Sequence, residues 1–327
     1  MTSATSRRTD PTQTGVIRRA YARELGRRLT TLAREIRHLL MVEQALGPPR
    51  SGRLQLNQRW AFDSDPQKID QFNRWVRARV RKELVELDDP NAEHWAQKFI
   101  RHSYEKGLTR AYADVQKIAK RRGTTLLDQT QSNFLRRLYG DRKTFDALQV
   151  LFSRNLSLLE GVSDDMAHKL TQILAEGLLN RRSTATIARA ITKQFKSLSA
   201  GRAQTLVNTE ITHAHATAQL AAFERLGVKR LGVMAEWVTA QDEKVCPQCR
   251  PLQGIVVSLS QARGMIPRHP NCRCAWVPAE LSEDQPQQKT GRQEIRAAIG
   301  KSLRAETKQR STRAARRKTR WAGADNV

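Results

Sequence analysis

The chain has 327 residues, 39% of them hydrophobic, and a formal net charge of +26 at pH 7. This length allows two domains with cores of their own, and this hydrophobic fraction excludes a wholly disordered chain. No apolar run reaches the roughly 18 residues that a membrane-spanning helix needs. The excess of Lys and Arg favours a polyanionic partner, most commonly nucleic acid, with a membrane surface or an acidic protein as alternatives.

The chain begins with an arm that precedes a long predicted helix. Residues 1–14 are polar and without periodicity, which is typical of a flexible arm, and they lack the apolar stretch of a secretion signal. Residues 16–46 form the helix, because apolar side chains recur three and four positions apart up to Gly47. They are Ile17, Tyr21, Leu25, Leu29, Leu32, Ile36 and Leu39. This stripe either packs within its own domain or docks another protein.

Periodicity and capping signals predict more helices as far as residue 226. The predicted helices cover residues 66–87, 91–122, 145–152, 166–179, 184–195 and 197–226. Residues 161–165 are predicted to form a loop whose last residues cap the next helix. Asn180 is expected to end that helix, and Ser183 or Thr184 to cap the one that follows.

The pattern changes to strands after Gly227. Apolar residues alternate with others from Leu231 to Trp237, which predicts a strand. Residues 255–257 and 275–277 predict two more short strands, and residues 258–262 predict a brief helical turn. Strands this short bury little apolar surface, so we expect a bound metal ion to cross-link and stabilise this region.

All four cysteines lie in this region, together with one histidine. Cys246-x-x-Cys249 is followed by His269-x-x-Cys272-x-Cys274, a set of five sulfur and imidazole ligands. A tetrahedral structural zinc ion needs four of them. We therefore predict one Zn²⁺ per chain, bound by Cys246, Cys249 and His269 with either Cys272 or Cys274. Such a set closes the coordination sphere, which favours a structural role over catalysis.

Two other states of the cysteines stay open. The first Cys pair could form disulfides with the second, or all four could be unligated thiols. Disulfides are uncommon in reducing compartments, and nothing at the start of the chain marks it for secretion.

The helix predicted at 197–226 carries Glu210, His213 and His215. Glu210 and His213 share a face, so a metal site there is conceivable. We expect instead that Glu210 accepts hydrogen bonds from the loops that follow and so orders the zinc module. His213 and His215 are expected on the polar surface.

Two motifs in this half resemble those of one known family. The first is Asp242…Cys246-x-x-Cys249…His269-Pro270-x-Cys272-Arg273-Cys274. The second is the helix Arg202-Ala203-x-x-Leu206-Val207-x-Thr209-Glu210-Ile211-x-x-Ala214. Together they resemble the phage Mu F-like minor head proteins, also called phage head morphogenesis proteins, over roughly residues 163–280. The family usually has Arg where this chain has Asn208.

The expected fold class is mainly α. A helical N-terminal domain (15–160) follows the arm, a Mu F-like α+β domain with the Cys/His zinc module (161–283) comes next, and a basic tail (284–327) ends the chain. Lys and Arg dominate residues 289–320, which gives the tail a sequence-independent affinity for phosphate or makes it a solubilising disordered end.

The resemblance implies a non-enzymatic structural protein of a tailed phage or prophage. Such a protein acts in head morphogenesis near the portal, with portal protein and major capsid or scaffold proteins as partners. It lies inside the phage head, beside packaged double-stranded DNA, and in the host cytoplasm during assembly. The alternatives are a DNA-binding accessory protein without a capsid role, or a zinc-dependent nuclease, which would need an open metal position and a general base.

Overall fold

The computed structural model describes residues 10–42, 66–87, 92–121, 123, 130–180, 182–226, 234–279, 297 and 304. The helices are α1 (Gly15–Met41), α2 (Pro66–Leu84), α3 (Gln97–Arg121), α4 (Gln131–Tyr139), α5 (Arg142–Leu179), α6 (Thr184–Leu198), α7 (Gln204–Arg225) and α8 (Leu259–Ala262). A π-helical turn, Ser199–Ala203, precedes α7. The strands are β1 (Met234–Val238), β2 (Val256–Val257) and β3 (Ala275–Ala279). The mainly α fold class with a small C-terminal sheet is confirmed.

Helix α5 corrects one prediction, because the loop expected at residues 161–165 is helical. Leu159, Val162 and Met166 are fully buried and keep the helical spacing across Gly161. Helix capping signals such as Ser163 therefore do not end a helix when the apolar stripe continues past them. The predicted cap of α6 is confirmed, since the Ser183 hydroxyl accepts the N–H of Thr186.

The described residues fall into two compact units. One, the helical unit, comprises Val16–His102 and Phe145–Glu210, and the other, the mixed unit, comprises Met1–Gly15, Ser103–Thr144 and Ile211–Val327. The predicted boundaries at residues 14, 160 and 283 stay a prediction. Residues 10–14 form a turn in which Thr12 and Thr14 are buried.

In the helical unit the apolar stripe of α1 forms much of the core. Tyr21, Leu25, Leu29, Leu32 and Ile36 are almost completely buried. The Tyr21 ring stacks on Phe99 with 4.9 Å between the ring centroids, and its hydroxyl donates to Asn155 over 2.9 Å. The stripe thus packs within its own unit.

The mixed unit contains the three-stranded sheet, in the order β2-β1-β3, with both pairs antiparallel. Helices α3 and α7 come unusually close in this unit. A Cβ atom at Gly107 would lie 2.4 Å from the backbone oxygen of His215 and 2.7 Å from the Ala218 Cβ. Beside this point the Ser103 hydroxyl donates to the Ile211 carbonyl over 2.7 Å.

Candidate metal centre

Two backbone turns present the predicted metal ligands. In the first, the N–H of Cys249 donates to the Cys246 carbonyl over 3.1 Å, which brings both side chains to one side of the chain. In the second, the N–H of Cys272 donates to the His269 carbonyl over 3.1 Å. Asn271 closes that turn with φ at 63°, a left-handed conformation that Asn tolerates better than most residues.

The structure brings all five predicted ligands into one cluster, whose members form two overlapping groups. Cys246, Cys249 and His269 form one group, and Cys249, Cys272 and Cys274 form the other. The sulfur atoms of Cys246 and Cys249 lie 2.9 and 3.1 Å from the His269 Nε2 atom, and the Cys249 and Cys272 sulfur atoms are 4.0 Å apart. Ligand atoms around a tetrahedral zinc ion are roughly 3.5–4 Å apart, so small shifts would admit an ion.

The cysteines are free thiols, and three of the four are buried. The cluster therefore contains no disulfide, which removes the first of the two alternatives. Whether the thiols bind a metal ion stays a prediction, and the geometry suits one. Cys249 belongs to both groups, so it is the candidate ligand that connects them.

The cluster favours negative charge on one sulfur. Hydrogen bonds from the thiols of Cys249 and Cys274 lower the pKa of Cys272. Donation to Cys272 in turn raises the pKa of Cys249. The interaction with Cys272 raises the pKa of His269 above its ordinary value. Metal ions bind the thiolate form, so a lowered thiol pKa within the cluster favours the binding of a cation.

An ion pair connects the two halves of the cluster. The guanidinium group of Arg273 donates to both carboxylate oxygens of Asp242, over 2.7 and 2.5 Å. Arg273 lies between two of the predicted ligands, and Asp242 lies before the first Cys pair. This contact lowers the pKa of Asp242 and fixes the distance between the two turns.

Helix α7 holds the module through two polar side chains. The Thr212 hydroxyl donates to the Cys272 carbonyl over 2.9 Å. The Gln219 amide pairs with both backbone groups of Trp276, donating to its carbonyl over 2.6 Å and accepting its N–H over 3.0 Å. Gln219 thus acts on β3 as a neighbouring strand would. The Trp276 ring meets the Trp237 ring edge to face across the sheet, 5.3 Å between centroids.

The expected role of Glu210 is wrong. Its carboxylate accepts from the Nε atom of Arg154, which lies 3.1 Å from each carboxylate oxygen, within the helical unit. Burial raises the pKa of Glu210, and Arg154 offsets part of that effect. His215 is fully buried rather than on the polar surface, because α7 is packed on most of its sides.

The sequence named the candidate ligands but did not identify the residues that position them. The sequence did indicate that Thr212 and Gln219 are buried, since α7 has small apolar residues on all of its faces. A helix of that kind is buried on most faces, and its polar side chains then need internal partners. The partners themselves are about 60 residues away in the chain, as for Thr212 and Cys272.

Residues 165–277 match the family model described as Phage Mu protein F like protein. This segment is a Mu F-like domain. The match covers about a third of the chain and includes α7, β1, β2, the first part of β3 and all five predicted ligands. Neither a curated protein nor a solved structure matches the chain.

The family indicates a phage head morphogenesis protein, a structural component of the virion. The Mu F-like domain of this chain ends within β3, directly after the last predicted ligand. Among the described residues, no helix combines the length and the apolar character needed to cross a membrane.

Proposed function

We propose that the chain is a minor head protein of a tailed phage or prophage that acts in head assembly beside the portal. The match of residues 165–277 to the Mu F-like family carries this proposal. The net charge of +26 supports it, because a protein inside the head neighbours packaged DNA at high concentration. Portal, major capsid and scaffold proteins are the proposed partners.

The metal ion of this proposal is Zn²⁺, in a structural role. Thiolate and imidazole ligands select zinc over magnesium or calcium, which prefer oxygen ligands. The five candidate ligands lie on the loops after β1 and before β3, so one ion would connect these loops at the end of the sheet where Val238 pairs with Ala275. By analogy with zinc-dependent peptides, binding would contribute on the order of 10 kcal/mol to folding.

The absorption spectrum of bound cobalt(II), used in place of Zn²⁺, identifies the ligands. Titration of the reduced, metal-free chain should give the visible absorption of a tetrahedral site together with a sulfur-to-metal charge-transfer band. Cys249→Ser should lose most of that absorption, since Cys249 belongs to both groups. Cys272→Ser and Cys274→Ser, compared side by side, show which one completes the set. An octahedral spectrum in the unchanged protein would contradict a tetrahedral sulfur site.

Purified heads test the proposed role. In the phage or prophage that encodes the chain, heads separated from tails on a density gradient should contain the protein, and mass spectrometry can measure its amount relative to portal protein. Deletion of the gene should lower the yield of DNA-filled heads, and the wild-type gene supplied in trans should restore it. Normal filled heads that lack the protein would contradict the proposal.

We also propose that the chain has no nuclease activity. Five sulfur and imidazole ligands leave no position for an attacking water on a four-coordinate ion. Plasmid DNA incubated with the metal-loaded protein and Mg²⁺ should stay intact. Cleavage that the wild type catalyses and the Cys249→Ser variant does not would overturn the structural role.

A further inference from the structure

A cavity of about 310 Å³ lies in the helical unit, between α1 and α6. Its floor is apolar, because the side chains of Leu29, Ala33 and Phe195 are buried there. Thr30 and Thr192 also line it. The cavity therefore has room for one or two large apolar side chains of a ligand.

The rim of the cavity is cationic. Arg34, Arg37 and Lys196 line it and are exposed. Among the described residues, none of these cations pairs with a carboxylate, and Arg34 donates a hydrogen bond to the Thr31 hydroxyl. Elsewhere in the same unit arginines are paired, as Arg79 is with Glu35 over 2.7 Å. The cations at the rim are thus available to an acidic partner.

The exposed face of α1 extends this surface. At 3.6 residues per turn, one set of its residues falls within an arc of roughly 60°. The set is Val16, Arg19, Arg23, Thr30, Arg34, Arg37 and Met41. Val16 and Met41 are 70% and 42% exposed, which is unusual for large apolar side chains. The face therefore carries cations over roughly 27 Å between Arg19 and Arg37, with one exposed apolar residue beyond each end.

We propose that this surface, formed by the outward face of α1 and the cavity beside α6, docks an acidic amphipathic helix of a partner protein. An apolar anchor of that helix fills the cavity above Leu29 and Phe195, and its carboxylates pair with Arg34, Arg37 and Lys196. Amphipathic helices are commonly bound in such grooves through anchors about one turn apart. A nucleic-acid backbone would use the cations but has no aliphatic side chain for the floor.

The probe is a fluorescein-labelled synthetic helix with Leu at positions i, i+4 and i+7 and Glu on its remaining faces, measured by anisotropy with the full-length chain. Thr30→Trp, an exposed position on α1, should block the cavity mouth without changing charge and should weaken binding at least tenfold. Circular dichroism checks that this variant is folded. A probe with Ala at the three Leu positions should bind at least tenfold more weakly to the wild type.

A matched pair of charge variants distinguishes binding at the cavity from general electrostatic attraction to a basic protein. Arg34→Glu with Arg37→Glu changes the rim, and Arg19→Glu with Arg23→Glu changes the same face away from the cavity by the same net charge. The rim variant should lose at least tenfold more affinity for the probe. Equal losses in both, or unchanged binding by Thr30→Trp, would overturn the proposal. So would a DNA duplex that binds more tightly than the probe and loses more affinity in the rim variant.

Discussion

At the scale of single residues, Glu210 shows how burial and charge set a requirement for a partner. Its side chain is 1% exposed and depends on Arg154, which is 46% exposed. A carboxylate removed from water costs several kcal/mol unless it is paired. The pair therefore keeps α5 and α7 in contact within the helical unit and fixes the position of the first turns of α7.

Replacing Arg154 by Met should destabilise the protein by about 3 kcal/mol at neutral pH, because Glu210 is then buried without its partner. Burial already raises the pKa of Glu210 above its ordinary value of 4.5. A raised folded-state pKa means that the penalty is present when the carboxylate is ionised and disappears on protonation. The difference from wild type in urea unfolding should therefore shrink as the pH falls towards 4.5.

The double variant Arg154→Met, Glu210→Gln provides the control. The amide of Gln at position 210 is neutral, so removing Arg154 leaves no unpaired charge buried. The double variant should therefore be more stable at neutral pH than Arg154→Met alone. If Arg154→Met is equally destabilising in both backgrounds, the ion pair does not account for the effect.

At the scale of elements, replacing either of two helical glycines by alanine should change the stability of the protein, in opposite directions. Alanine is favoured over glycine in a helix interior by about 1 kcal/mol. Gly161→Ala should therefore stabilise the protein by up to about that amount, since nothing lies within 4 Å of the added Cβ. Gly107→Ala should destabilise it, because the Cβ would meet the α7 backbone at 2.4 Å and push α3 away.

Thermal unfolding of the two alanine variants measures both effects. Gly161 lies where the sequence predicted a loop, so a stabilising alanine there also supports the continuous α5. A stabilising effect at Gly107 would show that α3 and α7 do not approach as closely as described.

Local patterns predicted most of the elements. Helical periodicity predicted α1 and α6, alternation predicted β1, and the short apolar segments at 255–257 and 275–277 predicted β2 and β3. The ligand cluster was predictable because its members lie close together in sequence, from Cys246 to Cys274. The loop expected at 161–165 was wrong, because turn-forming residues there are outweighed by apolar residues that remain in helical register.

Contacts between distant residues were beyond such reasoning. The partner of Glu210 is 56 residues earlier in the chain, and that of Gln219 is 57 residues later. Nothing in the sequence near either residue identifies the partner. The expected role of Glu210 as the organiser of the metal module was wrong for this reason, and Thr212 and Gln219 have that role instead.

Removal of the metal should affect the elements unequally. We expect chelation to increase amide hydrogen exchange in the sheet and the cluster loops, residues 234–279, because the proposed ion would order them. The α1 core around Tyr21 and Leu25 should stay protected, since its burial involves no ligand residue. Equal deprotection of α1 and the sheet on chelation would contradict a local role for the metal.

At the scale of the whole molecule, the charge of +26 predicts binding to DNA through phosphates. Affinity for double-stranded DNA should be independent of sequence and should fall steeply with salt. Truncation after Pro286 removes the basic tail, most of which lies outside the described residues, and should lower both the affinity and the salt slope. Salt titrations of the two proteins that give equal slopes would mean that the tail does not contact DNA.

The central claim is that the Mu F-like domain is built around a zinc ion, and the metal content of the purified chain tests it most directly. Protein purified under reducing conditions without added metal should contain about one zinc ion per chain, as measured by inductively coupled plasma mass spectrometry. The double variant Cys246→Ser, Cys249→Ser should contain none. A wild-type chain that is folded and free of zinc, or a variant that retains the full amount, would contradict the claim.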